Sequence, residues 1–286
     1  MLVKYFVVTD VHSYYDEMIA ALNKAGYDSN NTEHIFVSCG DLFDRGSKSK
    51  ECLDYVMSLP KERRILIMGN HEQNLIDLMD GKRPFDESDR HNRTLKTMRH
   101  LCGTNSTKIE NILNGVKENT KLKSYLDELV DFYETDHFFF VHGWYPWSIV
   151  EDKDGKEVIK INYANPDKWW RARWMCGFSE WHRIRKVLHE YPNVSFPGEK
   201  ITVCGHWHTS YGNCNYHHIG KQFPDKGERW KKYCCFDPFI DKNIVALDGC
   251  TALTHMCNCV VLEEPLGTIV YSSHNSSIGN GTYESL

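Results

Sequence analysis

The stretch from Val3 to His12, VKYFVVTDVH, is a run of β-branched and aromatic residues that ends in polar residues. Such a run predicts a buried β-strand followed by a loop. From Met18 to Ala25 the apolar residues follow helical spacing, so the stretch continues as a helix. The same order recurs from His34 to Leu59 and from Arg64 to Met79. Strands that alternate with helices predict βαβ units and a largely parallel sheet.

The remaining chain extends this α/β pattern without an obvious linker. We predict a single domain over residues 1–286, with a helical insertion from about 81 to 136 and an aromatic-rich segment from about 144 to 200. Strands are also expected at 137–142 and 201–204. Three further strands are predicted at 243–248, 258–263 and 268–272, and we expect them to lie in a second sheet.

Composition excludes several classes of protein. The 286 residues include 34 basic and 39 acidic side chains, a net charge of −5, and no dense run of Lys and Arg, so we expect no non-specific binding to nucleic acid. The hydrophobic fraction of 41% is that of a folded globular chain rather than a disordered one.

The sequence also predicts a cytoplasmic location and no membrane partner. No apolar run approaches a membrane span, and the short apolar start is not a signal peptide. The 11 cysteines are odd in number and contain no C-x-x-C pair, which favours reduced thiols. A soft-metal site that involves Cys234 and Cys235 or Cys257 and Cys259 is the alternative.

Polar blocks that can carry chemistry directly follow the predicted strands. The five blocks are Asp10-Val11-His12, Gly40-Asp41-Leu42-Phe43-Asp44-Arg45-Gly46, Gly69-Asn70-His71-Glu72, His142-Gly143 and Gly205-His206-Trp207-His208. Loops after the carboxyl ends of strands can converge on one site in an α/β sheet. Oxygen and imidazole ligands without thiolates suit a pair of divalent ions such as manganese, iron or zinc.

These blocks, in this order, resemble those of the calcineurin-like metallophosphoesterase superfamily. The resemblance runs from about Val3 to Asp248. It is strongest to the phosphoprotein phosphatase branch, particularly its bacterial and phage members and the symmetrical diadenosine tetraphosphate hydrolases. It implies a four-layer α/β/β/α sandwich, in which two mixed sheets pack face to face between helices.

The resemblance implies two divalent metal ions, with manganese as the preferred metal and iron or zinc as alternatives. One ion would be held by Asp10, His12 and Asp41. The second would be held by Asp41, Asn70, His142 and His206, with Asp41 as the bridge. Two such ions make a shared water a nucleophile near neutral pH and clamp a phosphate for in-line attack.

The resemblance also implies roles around the phosphate. His71 would protonate the leaving oxygen, and Asp44 would orient its imidazole. Arg45 and Asn70 would bind the substrate phosphate. A second phosphate-binding arginine would come from the segment Trp169-Trp170-Arg171-Ala172-Arg173-Trp174, where Arg173 is preferred and Arg171 is the alternative.

Departures from the family pattern bear on the substrate. Phosphoprotein phosphatases usually lack the second histidine of G-H-x-H, whereas His208 is present here and is expected to be an additional metal ligand. Gly143-Trp144-Tyr145-Pro146 and Ser47 also differ from the family pattern. The leading hypothesis is a phosphomonoesterase that acts on phosphoserine and phosphothreonine in proteins or on small phosphoesters. A diadenosine polyphosphate or other nucleotide hydrolase is the alternative, and a non-catalytic scaffold is the third hypothesis.

Two further interpretations concern local structure. Glu72 is interpreted as first-turn acidity that favours a helix N-terminus rather than as a catalytic group. Trp170, Trp174 and Trp181 recur at near-helical spacing, which predicts a buried helix face in preference to a base-stacking surface.

Overall fold

A computed structural model describes residues 2–221 and 233–273. The strands are β1 (Val3–Val8), β2 (His34–Ser38), β3 (Arg64–Leu66), β4 (Tyr133–Glu134), β5 (Phe138–Phe140), β6 (Trp147–Glu151), β7 (Glu157–Ile161), β8 (Ile201–Cys204), β9 (Phe239–Asp241), β10 (Ile244–Ala246), β11 (Val260–Glu264) and β12 (Thr268–Ser272). The α-helices are α1 (Tyr15–Ala25), α2 (Ser49–Ser58), α3 (Asn70–Met79), α4 (Glu87–Asn92), α5 (Thr94–Cys102), α6 (Ile109–Glu118), α7 (Thr120–Glu128), α8 (Pro166–Ala172), α9 (Gly177–Glu190), α10 (Thr209–Asn215) and α11 (Thr251–Thr254).

The first sheet has the order β12-β11-β1-β2-β3. The strands β1, β2 and β3 are parallel, as the strand-helix alternation predicts, while β11 and β12 are antiparallel to their neighbours. In this register Val7 lies opposite both Val37 of β2 and Val260 of β11. The sheet is therefore mixed, with the three predicted βαβ strands at one side.

The second sheet has the order β4-β5-β8-β10-β9. Its three central strands are parallel, and the edge strands β4 and β9 are antiparallel. The strands β6 and β7 form a separate antiparallel hairpin in the aromatic-rich segment. In both five-stranded sheets, a loop therefore follows the carboxyl end of each parallel strand.

Alternate residues of β1 face two different hydrophobic cores. Tyr5 and Val7 of β1 pack with Phe138, Phe140 and residues of the second sheet. Phe6 and Val8, one position away, pack against the helices instead. This two-residue period is that of a strand buried on both faces, so the two sheets pack directly on each other.

Helices cover the outer face of each sheet. Side chains from α1, α2, α3, α5, α6 and α7 form one core with the first sheet, and α8 and α9 form another with the second. The order of layers is helices, sheet, sheet, helices. The predicted α/β/β/α sandwich is confirmed.

The assignment of the last strands to the second sheet was wrong for two of the three. Only β10 lies in the second sheet, whereas β11 and β12 extend the first sheet beside β1. An alternating apolar pattern predicts a strand but not the strand with which it pairs, because pairing depends on register between residues that are distant in the sequence.

Helices α4 to α7 lie within the segment 81–136, and the segment 144–200 contains the β6-β7 hairpin with α8 and α9. None of the helices in the described parts of the chain is long and apolar enough to cross a bilayer.

Candidate active site

The polar blocks meet at the carboxyl ends of the parallel strands. Asp10 follows β1, Asp41 follows β2, Asn70 begins α3 after β3, His142 follows β5 and His206 follows β8. Four of these five loops line one cavity of about 220 Å³, and His142 of the fifth loop lies beside it, 3.4 Å from Asp41. The cavity is lined by Asp10, His12, Asp41, Arg45, Asn70, His71, Asn92, Trp174, His206, His208 and Asp248.

The backbone at several of these side chains is strained. The φ angles of Asp10, His12, Asp41 and His206 are 49°, 50°, 55° and 67°, in the left-handed region that non-glycine residues rarely occupy. Such strain persists only where the surrounding structure imposes it, and it concentrates at functional sites. The loops are therefore built to aim these side chains at the cavity.

Asp41 lies at the centre of the cluster. Its Oδ1 accepts a hydrogen bond from the His71 backbone N–H at 2.9 Å. Its Oδ2 lies 3.4 Å from Nε2 of His142, 3.8 Å from Nε2 of His71 and 4.0 Å from Nε2 of His12. One buried carboxylate oxygen thus faces three imidazole nitrogens, which is an arrangement suited to a bridging ligand.

Two of these imidazoles are held in place by backbone carbonyls that contact Nδ1. Nδ1 of His12 lies 2.9 Å from the Phe43 carbonyl oxygen, and Nδ1 of His142 lies 2.7 Å from the Cys39 carbonyl oxygen. When a neutral imidazole donates to a carbonyl through Nδ1, the lone pair of Nε2 is available for a metal. Both Nε2 atoms point into the cluster around Asp41.

Asp10 is fixed in the same way. Its Oδ2 accepts hydrogen bonds from the Thr9 hydroxyl at 2.7 Å and from the His206 N–H at 2.9 Å. The other oxygen, Oδ1, lies 3.9 Å from Nε2 of His12. Hydrogen bonds therefore leave Oδ1 directed at the imidazole.

The buried carboxylates and imidazoles of the cluster shift one another's pKa. Burial alone would raise the pKa of Asp41, but His142 and His71 hold it well below its usual range. Burial would lower the pKa of His142, yet the Asp41 carboxylate raises it to about 10. Burial and the neighbouring His142 lower the pKa of His206 to about 3. This imidazole is therefore neutral and has a lone pair that can bind a metal.

The donor set fits divalent metal ions. Two trios of ligand atoms lie within 4.8 Å of one another: His12, Asp41 and His71, and Asp41, His142 and His206. Asn70 joins the second trio, because its Oδ1 is 2.8 Å from Nε2 of His142. Asp10 and His208 line the same cavity outside both trios. Buried carboxylate and imidazole donors in this number suit manganese, iron or zinc.

His71 is bound on its other side by Asp44. Nδ1 of His71 lies 2.7 Å from Oδ2 of Asp44, which also accepts a hydrogen bond from the Thr94 hydroxyl at 3.0 Å. The Asp44 N–H donates to the Thr97 hydroxyl at 3.1 Å. Burial lowers the pKa of His71, but Asp41 and Asp44 outweigh it and raise the pKa above its usual value.

The two predicted phosphate-binding arginines lie in different environments. Arg45 lines the cavity. Arg173 is buried, and its guanidinium donates to Gln73 at 2.6 Å and forms an ion pair with Asp131. Arg171 is exposed on α8. Neither Arg173 nor Arg171 is among the cavity-lining residues.

Glu72 does more than the sequence interpretation allowed. It is fully buried and accepts hydrogen bonds from the backbone N–H groups of Asp41 at 2.8 Å, Leu42 at 2.8 Å and Gly69 at 3.0 Å. Its place in the first turn of α3 is as expected. The carboxylate also connects the loops that carry Asp41 and Asn70, a role that only the tertiary structure shows.

The prediction of one buried tryptophan face was wrong. Trp170 and Trp174 are 45% and 42% exposed, and Trp181 is buried on a different helix. The helices α8 and α9 break between Ala172 and Gly177, so the spacing does not lie on one helix. Trp174 contacts the His206 ring edge-on at 5.9 Å and forms part of the cavity wall.

Besides Trp174, two cavity-lining residues were not predicted from the sequence. Asp248 follows β10 after one residue, Leu247, just as Asp10 follows β1 after Thr9, and this pattern could have identified it. Asn92, at the end of α4, comes from the helical segment and has no comparable pattern. Burial and the Asp248 carboxylate together raise the pKa of Asp10 well above its usual range.

The fold and this site together define an α/β/β/α protein with a buried cluster of carboxylates and imidazoles at the carboxyl ends of its parallel strands. A family model described as calcineurin-like phosphoesterase matches residues 3–210. This chain belongs to the calcineurin-like phosphoesterase family.

Individual relatives match over shorter stretches. The chain is 38% identical over 85 residues to a symmetrical bis(5'-nucleosyl)-tetraphosphatase of Pasteurella multocida, which is 30% of each protein. It is 33% identical over 84 residues to an asymmetrical bis(5'-nucleosyl)-tetraphosphatase of Bacillus velezensis, which is 27% of this chain and 34% of that protein. The matches thus span about a third or less of the length of these relatives.

Similarity in structure extends further than similarity in sequence. A cold-active protein-tyrosine phosphatase of a psychrophilic Shewanella species superposes with a TM-score of 0.50 at 15% identity. The superposition covers 91% of this chain and 75% of that one. At this identity the likeness concerns the fold alone.

Proposed function

We propose that this chain is a two-metal phosphoesterase that hydrolyses phosphomonoesters, with phosphoserine and phosphothreonine side chains of proteins as its substrates. The observation that carries the proposal is the buried Asp41 carboxylate, which faces three imidazoles and lines one cavity together with Arg45 and His71. Ligands, a phosphate-binding cation and a proton donor are then within reach of one phosphate.

The proposed ligands divide into two sets around Asp41. Asp10, His12 and Asp41 would hold one ion, and Asp41, Asn70, His142 and His206 the other, with His208 as an additional ligand. The two ions would supply Lewis acidity toward water and toward the phosphate oxygens. Manganese is the proposed metal, with iron and zinc as alternatives.

Arg45 would bind the phosphate and set its orientation. Its planar guanidinium can donate two parallel hydrogen bonds to phosphate oxygens. Its backbone is fixed, because the Arg45 N–H donates to the Asn92 carbonyl at 2.7 Å and its φ is 62°. Asn92 also lines the cavity, and we propose its side-chain amide as a second donor to the same phosphate. We propose Asn70 as a further phosphate contact.

His71 would give its proton to the leaving oxygen. Asp44 fixes the ring through Nδ1 and stabilises the imidazolium, so the proton on Nε2 faces the cavity. An alkoxide that leaves from phosphoserine is a strong base and requires such a proton. Asp44 is therefore a positioning residue, and His71 is the proposed general acid.

A second candidate activity is hydrolysis of dinucleoside polyphosphates. It is favoured by the relatives in Pasteurella multocida and Bacillus velezensis, which are both named as bis(5'-nucleosyl)-tetraphosphatases. The half-exposed indole of Trp174 at the cavity wall offers a surface on which a base could stack.

A substrate panel tests both activities. The protein, loaded with manganese, would be assayed on phosphoserine and phosphothreonine peptides, p-nitrophenyl phosphate, nucleotides and a dinucleoside tetraphosphate. We expect hydrolysis of p-nitrophenyl phosphate and of the phosphopeptides, with the highest kcat/KM for a phosphopeptide. A higher kcat/KM for the dinucleoside tetraphosphate would reverse the order of the two candidates.

The same assay addresses the scaffold hypothesis. We expect a chelator to abolish hydrolysis and added manganese to restore it, because the cavity residues would depend on the ions to activate water. A manganese-loaded protein with no hydrolytic activity on any member of the panel would leave the scaffold as the better description.

A further inference from the structure

A second cavity lies beside the candidate active site. It is a groove of about 450 Å³ between α4, α5 and the start of α6. We call it the basic groove; its lining residues are Phe85, Asp89, Arg90, Arg93, Leu95, Lys96, Arg99, Thr107 and Ile109. Four of these nine side chains are cationic, on a chain whose net charge is −5.

The positive charge of the groove is largely uncompensated. Its one acidic residue, Asp89, is buried and already binds Arg83 through two hydrogen bonds of 2.7 and 2.6 Å. Within the described parts of the chain, Arg93, Lys96 and Arg99 form no ion pair. Arg90 pairs with Glu87 at 2.9 Å, but this pair is exposed, so it holds the guanidinium weakly.

The groove is continuous with the active-site wall through the junction of α4 and α5. Asn92 lines the active-site cavity, and Arg93, the next residue, lines the groove. The Arg45 N–H donates to the Asn92 carbonyl at 2.7 Å, and the Arg93 guanidinium donates to the Arg45 carbonyl at 3.4 Å. A chain attached to a phosphate at Arg45 would therefore have the groove next to it.

The lining selects a particular chemistry. The cations of the lining favour carboxylates or phosphates, and Phe85, Leu95 and Ile109 provide an apolar surface for a hydrophobic side chain. A polypeptide that carries both acidic and apolar side chains satisfies both features. A free anion would leave the apolar surface unused.

We propose that the basic groove binds an acidic segment of a polypeptide, next in sequence to the phosphorylated residue that enters the active site. This inference rests on the proposed function in its phosphoprotein form. The groove would give the enzyme a preference for substrates with acidic residues and an apolar residue beside the phosphorylated position. The side chains that confer this preference take no part in the chemistry.

The groove is tested first by binding, without catalysis. The probe is a fluorescein-labelled peptide that contains Asp, Glu and one Phe but no phosphate, and its binding is measured by fluorescence polarisation. We expect the double variant R90Q/K96Q to bind it roughly tenfold more weakly than the unaltered protein, since two partly screened charges are lost. Raising the salt concentration should weaken binding to the unaltered protein more than to this variant.

The control is the double variant K117Q/K123Q. It removes the same charge from exposed positions on α6 and α7 that do not line the groove. Its affinity for the probe should stay within twofold of the unaltered protein. Both double variants should hydrolyse p-nitrophenyl phosphate at the unaltered rate, because neither touches the active-site cavity.

The outcomes separate the groove from the activity. Equal affinity of R90Q/K96Q and the unaltered protein for the peptide, or tight binding of single-stranded RNA with none of the peptide, would overturn the basic groove as a polypeptide site. If R90Q/K96Q instead lowers only the kcat/KM for a dinucleoside tetraphosphate, the groove belongs to that substrate and the inference is wrong. If the peptide binds as expected but no phosphopeptide is hydrolysed, the groove stands and the phosphoprotein substrate fails.

Discussion

His71 and Asp44 form a buried pair in which Nδ1 of the imidazole lies 2.7 Å from Oδ2 of the carboxylate. Both side chains are almost fully shielded from solvent, and the Thr94 hydroxyl donates to the same oxygen of Asp44. The pair fixes the ring plane, so that Nε2 faces Asp41 at 3.8 Å. This geometry fits an acid at the leaving group, although His71 also lies in one of the two trios that could bind metal.

The substitution His71→Asn distinguishes these two roles. If His71 is the acid, we expect turnover of a phosphoserine peptide to fall by about 10²–10⁴-fold. Turnover of p-nitrophenyl phosphate should fall much less, because its leaving group needs little protonation. Metal content, measured by elemental analysis, should be unchanged. Loss of an ion, or an equal loss of activity on both substrates, would move His71 to the metal site.

Arg45→Ala is expected to raise KM and also to lower kcat. A guanidinium that binds phosphate oxygens acts in the ground state and in the transition state. Steady-state kinetics on p-nitrophenyl phosphate would measure both constants. Arg63→Ala is the control, because Arg63 does not line the cavity. This substitution should change neither KM nor kcat. An unchanged KM in Arg45→Ala would remove Arg45 from the phosphate site.

Arg173→Ala is expected to lower the free energy of unfolding by about 3 kcal/mol, since it leaves the partly buried Asp131 carboxylate without its partner. Arg171→Ala, at an exposed position, should change it by at most about 0.5 kcal/mol. Urea denaturation measures both. If Arg173 also binds phosphate, as the resemblance implies, KM should rise in Arg173→Ala at temperatures where the variant is fully folded. An unaltered KM would assign Arg173 to the structure alone.

Glu72→Gln tests whether this carboxylate joins the two ligand-bearing loops. The amide keeps the shape but loses charge and one acceptor oxygen, so at least one buried N–H among those of Asp41, Leu42 and Gly69 loses its partner. We expect a loss of about 3 kcal/mol of unfolding free energy and weaker manganese binding by titration. Glu51→Gln, an exposed carboxylate in the first turn of α2, is the control, for which we expect at most about 1 kcal/mol. Equal effects of the two would return Glu72 to the role of a helix N-terminal charge.

Asp41→Asn is expected to lower the metal content from two ions to one or none, because the carboxylate faces both trios. Elemental analysis after dialysis against manganese measures this. Asp16→Asn, an exposed residue that pairs with Lys48, should retain both ions. Two ions retained by Asp41→Asn would show that it does not bridge them.

Local patterns in the sequence predicted the first strands and helices, whereas the order of layers was implied by the resemblance of the five blocks to a known family. Runs such as Val3 to Val8 form strands wherever one or both faces are buried, and the polar blocks directly follow them. The amino-acid sequence is therefore sufficient to identify the candidate ligands Asp10, His12, Asp41, Asn70, His142 and His206. In the folded chain they approach one another because parallel strands present their carboxyl ends at one edge.

Tertiary structure alone decided the features that depend on long-range pairing. The alternation in β11 and β12 predicts strands, but only the register with Val7 and its neighbours places them in the first sheet. Local spacing likewise did not show that Asp131 binds Arg173 or that Glu72 reaches the Asp41 loop.

The basic groove shows the same division most plainly. In the sequence its cations stand at every third position from Arg90 to Arg99, with two uncharged residues in each gap, so no dense basic run is visible. Packing of α4 against α5 turns Arg90, Arg93, Lys96 and Arg99 toward one space, while Arg83 neutralises Asp89. The sequence alone determined which residues carry charge and where eight of the twelve described strands lie. Which charges face one another was decided by the tertiary structure, because electrostatic interaction depends on distance in space and not on separation along the chain.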